Sequence, residues 1–183
     1  MRVTLYHGSD VAIERPDVTL NTGFSDLGRG FYLTDDREAA CGRARSRARR
    51  TGAAGVVSAF DLNLDGLPWV QLGMQGQGTV SQPSARPFGL CFEEGAEGMR
   101  AWVGYVMACR RGATALEGLG EPAIVRAWIA TEEVEMACSG LADIEDVVAC
   151  IDPSDLVVQY CLRDQAVADA RLAFVDAEVV TRG

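Results

Sequence analysis

The chain has 183 residues, 48% of them hydrophobic and 23% charged, with a formal net charge of -9 at pH 7. That length suits one domain with a sizeable core, and the acidic balance argues against broad electrostatic attachment to nucleic acid or an anionic membrane. No run approaches the ~20 apolar residues that cross a bilayer, and Met1 to His7 holds no apolar leader, so the expectation is a cytoplasmic protein with no membrane partner.

Six cysteines, Cys41, Cys91, Cys109, Cys138, Cys150 and Cys161, stand apart from one another. None is spaced as a metal knuckle or a redox pair, and His7 is the one histidine, so they read as reduced thiols and no metal is expected. Every cationic side chain is arginine, which we attribute to coding bias. Arg37, Arg43, Arg45, Arg47, Arg49 and Arg50 crowd one stretch, whereas acids dominate after Glu93.

In chain order, Val3 to Tyr6 alternates and is rich in strand formers, which predicts a first strand ending at His7. Gly8, Ser9 and Asp10 break it, and Val11 to Ser25 reads as turn-rich loop. Gly30 to Thr34 is a second strand. A helix follows from about Asp36 to Arg50, with Thr34 or Asp35 as its N-cap and Gly52 as its stop. Gly55 to Leu62 is a strand. Leu72 to Gly89, rich in Gly, Gln, Ser and Pro, reads as a surface loop. Phe92 to Arg111 is helical, with Met99, Trp102, Val103, Val106 and Met107 at core spacing. Pro122 to Ile129 is a strand, Leu141 to Cys150 a helix and Leu156 to Leu162 a strand. Asp164 to Leu172 is a short helix, and Phe174 to Val180 a closing strand. No repeat or domain boundary is evident, and this mixed order argues for a single α+β domain over residues 1–183.

Three separated strand segments carry the chemistry. His7 offers one ring donor and one acceptor, suited to a ribose hydroxyl. Gly8 lets main-chain N–H and C=O approach a planar carboxamide, and Ser9 adds a hydroxyl. Tyr32 offers an aromatic face to a flat ring, and Gln159 an amide to a hydroxyl. Ribose, carboxamide and flat ring together describe the nicotinamide half of NAD. Each residue also has a plainer reading. His7 could be a satisfied strand-end histidine, Tyr32 a core aromatic and Gln159 a surface position. Gly28 and Gly30 could simply make a turn, the arginines could form a solvated helix face, and Trp102 and Tyr105 read as core.

Tyr6-His7-Gly8-Ser9, Leu27-Gly28-Arg29-Gly30-Phe31-Tyr32-Leu33-Thr34 and Val157-Val158-Gln159-Tyr160 resemble the three motifs of the ADP-ribosyltransferases, in the branch shared by diphtheria-type toxins and poly(ADP-ribose) polymerases. More narrowly, the chain is similar to a bacterial family of uncharacterised transferase-like proteins with a His, Tyr and Gln pattern. Residues 64–119 match little. The resemblance implies two facing, mostly antiparallel sheets around a nucleotide cleft, with NAD as co-substrate. His7, Tyr32 and Gln159 would be catalytic, and His7, Gly8, Ser9, Gly30, Phe31 and Tyr32 would bind the cofactor. ADP-ribose would pass to a protein or nucleic-acid acceptor, and a toxin or effector role would come with an inhibitory partner protein.

Gln159 departs from the family's glutamate. A neutral amide can orient a ribose but cannot stabilise a cation or take a proton as a carboxylate does. Glu133 and Glu135 resemble the acid-x-acid turn of the arginine-modifying branch, though after a different strand. Two other classes stay open: a non-catalytic NAD- or ADP-ribose-binding or protein-interaction module, and a nucleic-acid-binding protein using the arginine helix.

Overall fold

In the computed structural model, residues 1–21, 25–73, 87–113 and 120–180 are described. Eight strands form one mixed sheet: β1 Arg2–Ser9, β2 Phe31–Thr34, β3 Gly55–Asn63, β4 Trp69–Leu72, β5 Gly89–Phe92, β6 Ile124–Trp128, β7 Val158–Leu162 and β8 Leu172–Val180. The helices are α1 Arg37–Thr51, α2 Ala96–Arg110, α3 Glu132–Cys138, α4 Ile144–Cys150 and α5 Gln165–Arg171. The class is therefore α+β, as composition and element order lead one to expect.

The sheet runs β4-β5-β6-β7-β2-β1-β3-β8. The β4/β5 and β5/β6 pairs are parallel and the others antiparallel. A single ladder thus replaces the two separate sheets expected. Chain length dictates its shape. β3 and β4 lie six strand spacings apart in that order, roughly 29 Å in a flat sheet at about 4.8 Å per spacing. Residues 64–68 alone join Asn63 to Trp69, and six residue steps reach at most about 22 Å. The sheet must therefore curl. Its inner face gathers Leu5, Phe31, Leu33, Phe60, Leu62, Ile124, Tyr160 and Leu162 into one core with Leu64 and Leu67 of the short link.

The outer face carries α1 to α4. α2 lays Met99, Trp102, Val103 and Val106 on Leu90, Phe92, Val125, Ala127 and Cys161. α1 sets Ala40, Cys41 and Ala44 against Val57 and Tyr6. Small side chains bring α1 so close to β1 that a Cβ on Gly8 would lie 2.0 Å from the Ala40 carbonyl oxygen.

Several boundaries differ from expectation for local reasons. The N-cap of α1 is Asp36, whose carboxylate accepts from the Glu38 and Ala39 N–H groups at 2.7 and 3.1 Å. Thr34 is spent elsewhere, donating to the Val158 carbonyl at 2.7 Å. The predicted helix from Phe92 starts only at Ala96, because Phe92 belongs to β5 and Gly95 turns the chain at φ +110°. Leu72 and Gly89, read as loop ends, are strand residues of β4 and β5, and residues 74–86 of that loop lie outside the described residues. Glu133 and Glu135 sit on helix α3, not in a turn. Glu135 pairs with Arg110 of α2.

Two glycines test the packing. Gly8→Ala should lose about 1–3 kcal/mol through overpacking against α1. Gly42→Ala, mid-α1 with open space around it, should gain about 0.5–1 kcal/mol from helix propensity. Urea denaturation midpoints moving in opposite directions check both; a Gly8→Ala midpoint equal to wild type would contradict the close approach.

Candidate active site at the β1–β2 seam

The central strands β7, β2 and β1 bring the three motifs side by side. β2 is fully laddered to β7, from Phe31↔Leu162 to Thr34↔Gln159. Its ladder to β1 holds a single pair, Tyr6↔Thr34. Counting onward, Gly8 would face Tyr32, yet no pair forms there. The seam is closed instead by a side chain. His7 Nδ1 lies 2.7 Å from the Tyr32 carbonyl oxygen. A carbonyl only accepts, so Nδ1 carries the hydrogen.

That bond also orients Gly8. In an antiparallel ladder a residue's N–H and C=O point to the same neighbour. The Tyr32 carbonyl points at β1, so the opposed Gly8 turns its own N–H and C=O towards β2, into the seam where the ladder has ended. Gly8 is thus constrained twice, by the seam in the sheet plane and by α1 at its Cα.

His7 stacks on Phe31, ring centroids 4.5 Å apart and planes 25° from parallel. Burial pushes its pKa below 6.5, partly opposed by the Tyr32 carbonyl and aided by Arg43 and Arg47 of α1. The ring is therefore neutral at pH 7, and Nε2 is an acceptor with no hydrogen-bond partner among the described residues. Arg43 and Arg47 are one helical turn apart and exposed. Arg47 approaches Asp10 at 3.7 Å, and buried Ser9 donates to Asp10 at 3.2 Å. The main-chain N–H of Asp10, then Thr51, Ser9 and Arg47, hold its carboxyl below the usual range.

Phe31 is buried core between His7 and Phe60, and supports the imidazole from below. Gly30 is shaped by β7, since a Cβ there would meet Cys161 Sγ and the Leu162 carbonyl at 2.5 Å. Tyr32 is committed on the outer face. Its hydroxyl accepts from the Leu27 N–H at 3.0 Å and donates to the Gly28 carbonyl at 2.6 Å. Burial raises its pKa far above the physiological range. Gln159 is buried, and its Nε2 donates to the Trp128 carbonyl at 2.8 Å, leaving Oε1 with no described partner.

Register assigns the faces. Tyr32↔Cys161 and Thr34↔Gln159 put Tyr32 and Gln159 on the outer face, and Tyr6↔Thr34 adds Tyr6 to it. His7 and Phe31 project from the inner face. The three expected residues therefore occupy adjacent strands but two faces, with the Gly8 main chain between them. Two hollows are lined by other residues. One of about 240 Å³ is bounded by Trp69, Cys91, Arg126 and Tyr160. One of about 370 Å³ is bounded by Glu94, Trp128, Asp152 and Ser154, beside the carbonyl that anchors Gln159.

Sequence reasoning did not find Asp10 or the double role of Thr34, whose hydroxyl donates to the Val158 carbonyl and accepts from the Asp36 N–H at 3.1 Å. Their signals were local: an acid directly after the His-Gly-Ser run, and a hydroxyl at a strand end before a helix. All six cysteines are free thiols, and burial pushes Cys161 up to about 12. Among the described residues no group of three or more His, Cys, Asp or Glu side chains could hold a metal. No described helix is long and apolar enough to cross a membrane.

Two outcomes follow from this geometry. Because the folded-state pKa of His7 is depressed, its neutral form contributes stability fully above pH 6.5, and this is lost as pH falls through the folded value. Wild type should lose more stability between pH 7 and pH 5 than His7→Gln; parallel urea midpoints across that window would contradict it. Tyr32→Phe leaves the Leu27 N–H and Gly28 carbonyl unpaired and should cost about 1–3 kcal/mol, measured by the same denaturation, while an unchanged midpoint would show that the phenol tethers nothing.

A family model described as a protein of unknown function (DUF3990) matches residues 3–76. The match takes in β1 from Val3, β2, α1, β3 and β4, hence His7 and Tyr32, and stops well short of Gln159. No curated protein and no solved structure gives a significant match.

Proposed function

We propose that the chain is an NAD-dependent mono-ADP-ribosyltransferase of the diphtheria-toxin and poly(ADP-ribose) polymerase type, acting as a cytoplasmic toxin or effector under the control of an inhibitory partner. The observation that carries this reading is the seam: a two-strand ladder reduced to one pair, tied by His7, with the Gly8 main chain turned into it.

Each group has a chemical task. The free Nε2 of neutral His7 accepts a ribose hydroxyl. The Gly8 N–H and C=O match the C=O and NH₂ of a carboxamide. Tyr32 and Gln159 sit on the other face of the sheet from His7, so they reach the ligand only across the Gly8 main chain, Tyr32 as an aromatic neighbour to the nicotinamide ring and Gln159 Oε1 as an acceptor for a ribose hydroxyl. Arg43 and Arg47 add positive charge beside His7 in an otherwise acidic chain. In the reaction the ribose C1′–nitrogen bond breaks, its electron pair leaves with nicotinamide, and C1′ takes a new bond from a nucleophile that then releases a proton. Gln159 cannot accept that proton. The acceptor is therefore a group already nucleophilic at neutral pH, or one that loses its proton to solvent.

Gln159 also favours a second reading, a module that binds NAD or ADP-ribose without turnover. Its amide is neutral, buried and fixed to the Trp128 carbonyl.

Nicotinamide release from NAD by the whole chain separates the two. The transferase reading expects His7→Ala to lower release by about 10²–10³-fold and Gln159→Glu to raise it, with circular dichroism confirming the fold. Release unchanged in His7→Ala removes the transferase site. Calorimetric NAD binding with no release from wild type establishes the binding module instead.

A further inference from the structure

Helix α1 concentrates the positive charge of the chain. Its 15 residues hold six arginines and one acid, Glu38, a net of +5 in a chain of net -9. Arg37 pairs with Glu178, Arg45 lies 3.9 Å from Glu38, and Arg47 lies 3.7 Å from Asp10. Arg43, Arg49 and Arg50 make no ion pair among the described residues. Arg43 with Arg47, and Arg45 with Arg49, are like charges at i, i+4, a spacing that weakens a helix. The folding of α1 therefore does not call for these charges.

Arg43, Arg47 and Arg50 form one ridge. At i, i+4 and i+7 they share a helix face and spread over about 10.5 Å of its axis, and all three are exposed. The buried face, Ala40, Cys41, Ala44 and Ala48, is a different one. The ridge flanks the end of β1, where Arg47 approaches Asp10, and Ala40 and Ala44 close on Gly8. A single phosphate engages one or two such side chains, whereas the whole ridge fits a chain of phosphates. The exposed side of α1 carries no aromatic and no large aliphatic side chain, and a protein partner is anchored by such groups at the centre of its interface. Charge is what this face offers. Phosphodiesters are bound through charge, and the arginine fork matches their oxygens.

We propose that the ridge of Arg43, Arg47 and Arg50 binds the phosphate backbone of a single-stranded nucleic acid and holds that strand beside the seam as the acceptor of ADP-ribose. The acceptor role rests on the transferase reading; the binding does not. Gln159 takes no proton, and a nucleobase nitrogen needs none removed before it attacks. Its lone pair bonds C1′ as nicotinamide leaves with the electron pair of the broken bond, and an amine proton then passes to water. A base inside a duplex is shielded by its stack, so the strand is unpaired.

Fluorescence anisotropy of the whole chain with a labelled single-stranded oligonucleotide of mixed sequence, without NAD, tests the binding. Three phosphate contacts predict a slope of about -2 for log affinity against log salt, so a fourfold rise in salt weakens binding about 20-fold. The triple variant Arg43→Gln, Arg47→Gln, Arg50→Gln should lose this binding with wild-type circular dichroism. Arg2→Gln, exposed at the opposite end of β1, should keep it. If the triple variant does not fold, Arg50→Gln decides alone, its slope shallower by about 0.7. No binding by wild type, binding that survives these substitutions, a duplex bound as tightly as the strand, or polyglutamate displacing the strand at equal charge concentration overturns the proposal. Labelled NAD then tests the acceptor role. Nicotinamide released with no label on the bound strand overturns that role, while a bound strand with no release overturns the transferase reading and not the ridge.

Discussion

One hydrogen bond from an imidazole to a strand carbonyl replaces most of the pairing between β1 and β2. Elsewhere around it the central ladder is complete: eight register pairs join β1 to β3 and four join β2 to β7. A typical intramolecular hydrogen bond contributes only about 0.5–1.5 kcal/mol net, so the tie alone does not hold the halves together. Phe31 beneath the ring and the shared inner core carry the remainder. The bond's larger consequence is directional. It fixes the tautomer of His7, the facing of Gly8 and the free acceptor at Nε2 in one stroke.

The sheet around the seam is shaped by a short link. Residues 64–68 cannot bridge a flat sheet, so curvature is imposed by covalent reach, and the inner core is its result. On the outer face α1 comes close enough to exclude any Cβ at Gly8. Glycine there answers a packing demand independently of any ligand. A ligand reading of Gly8 that ignored the helix would credit function with a residue the fold already requires. Tyr32 and Gln159 likewise serve the fold, one tethering the Leu27–Gly28 turn and the other bonding the Trp128 carbonyl.

Much of this was legible in the chain. β1, β2, β3, β6, β7 and β8 carry dense strand formers between turn residues, and α1 is framed by Asp36 and Gly52, so local pattern located them. β4 and β5 escaped because each has four residues and owes its existence to parallel pairing with distant β6 or with each other. α3 escaped because Glu133 and Glu135 resemble an acid-x-acid turn more than a helix. For the site, residue types pointed to the seam, but faces did not follow from them. A period of two puts neighbours on opposite sides, and only the register Tyr6↔Thr34 separates His7 from Tyr32 and Gln159. The N-cap was misplaced by two residues at most, since Thr34, Asp35 and Asp36 all carry capping oxygens and tertiary bonding to Val158 chose among them.

In the proposed function a dinucleotide occupies the seam between β1 and β2. A crystal of the whole chain grown with saturating NAD tests it most directly. The account predicts a carboxamide within hydrogen-bond distance of the Gly8 N–H and C=O and a ribose hydroxyl against His7 Nε2. NAD lodged in the hollow of Trp69 and Arg126, or no bound nucleotide in a well-ordered seam, would contradict it.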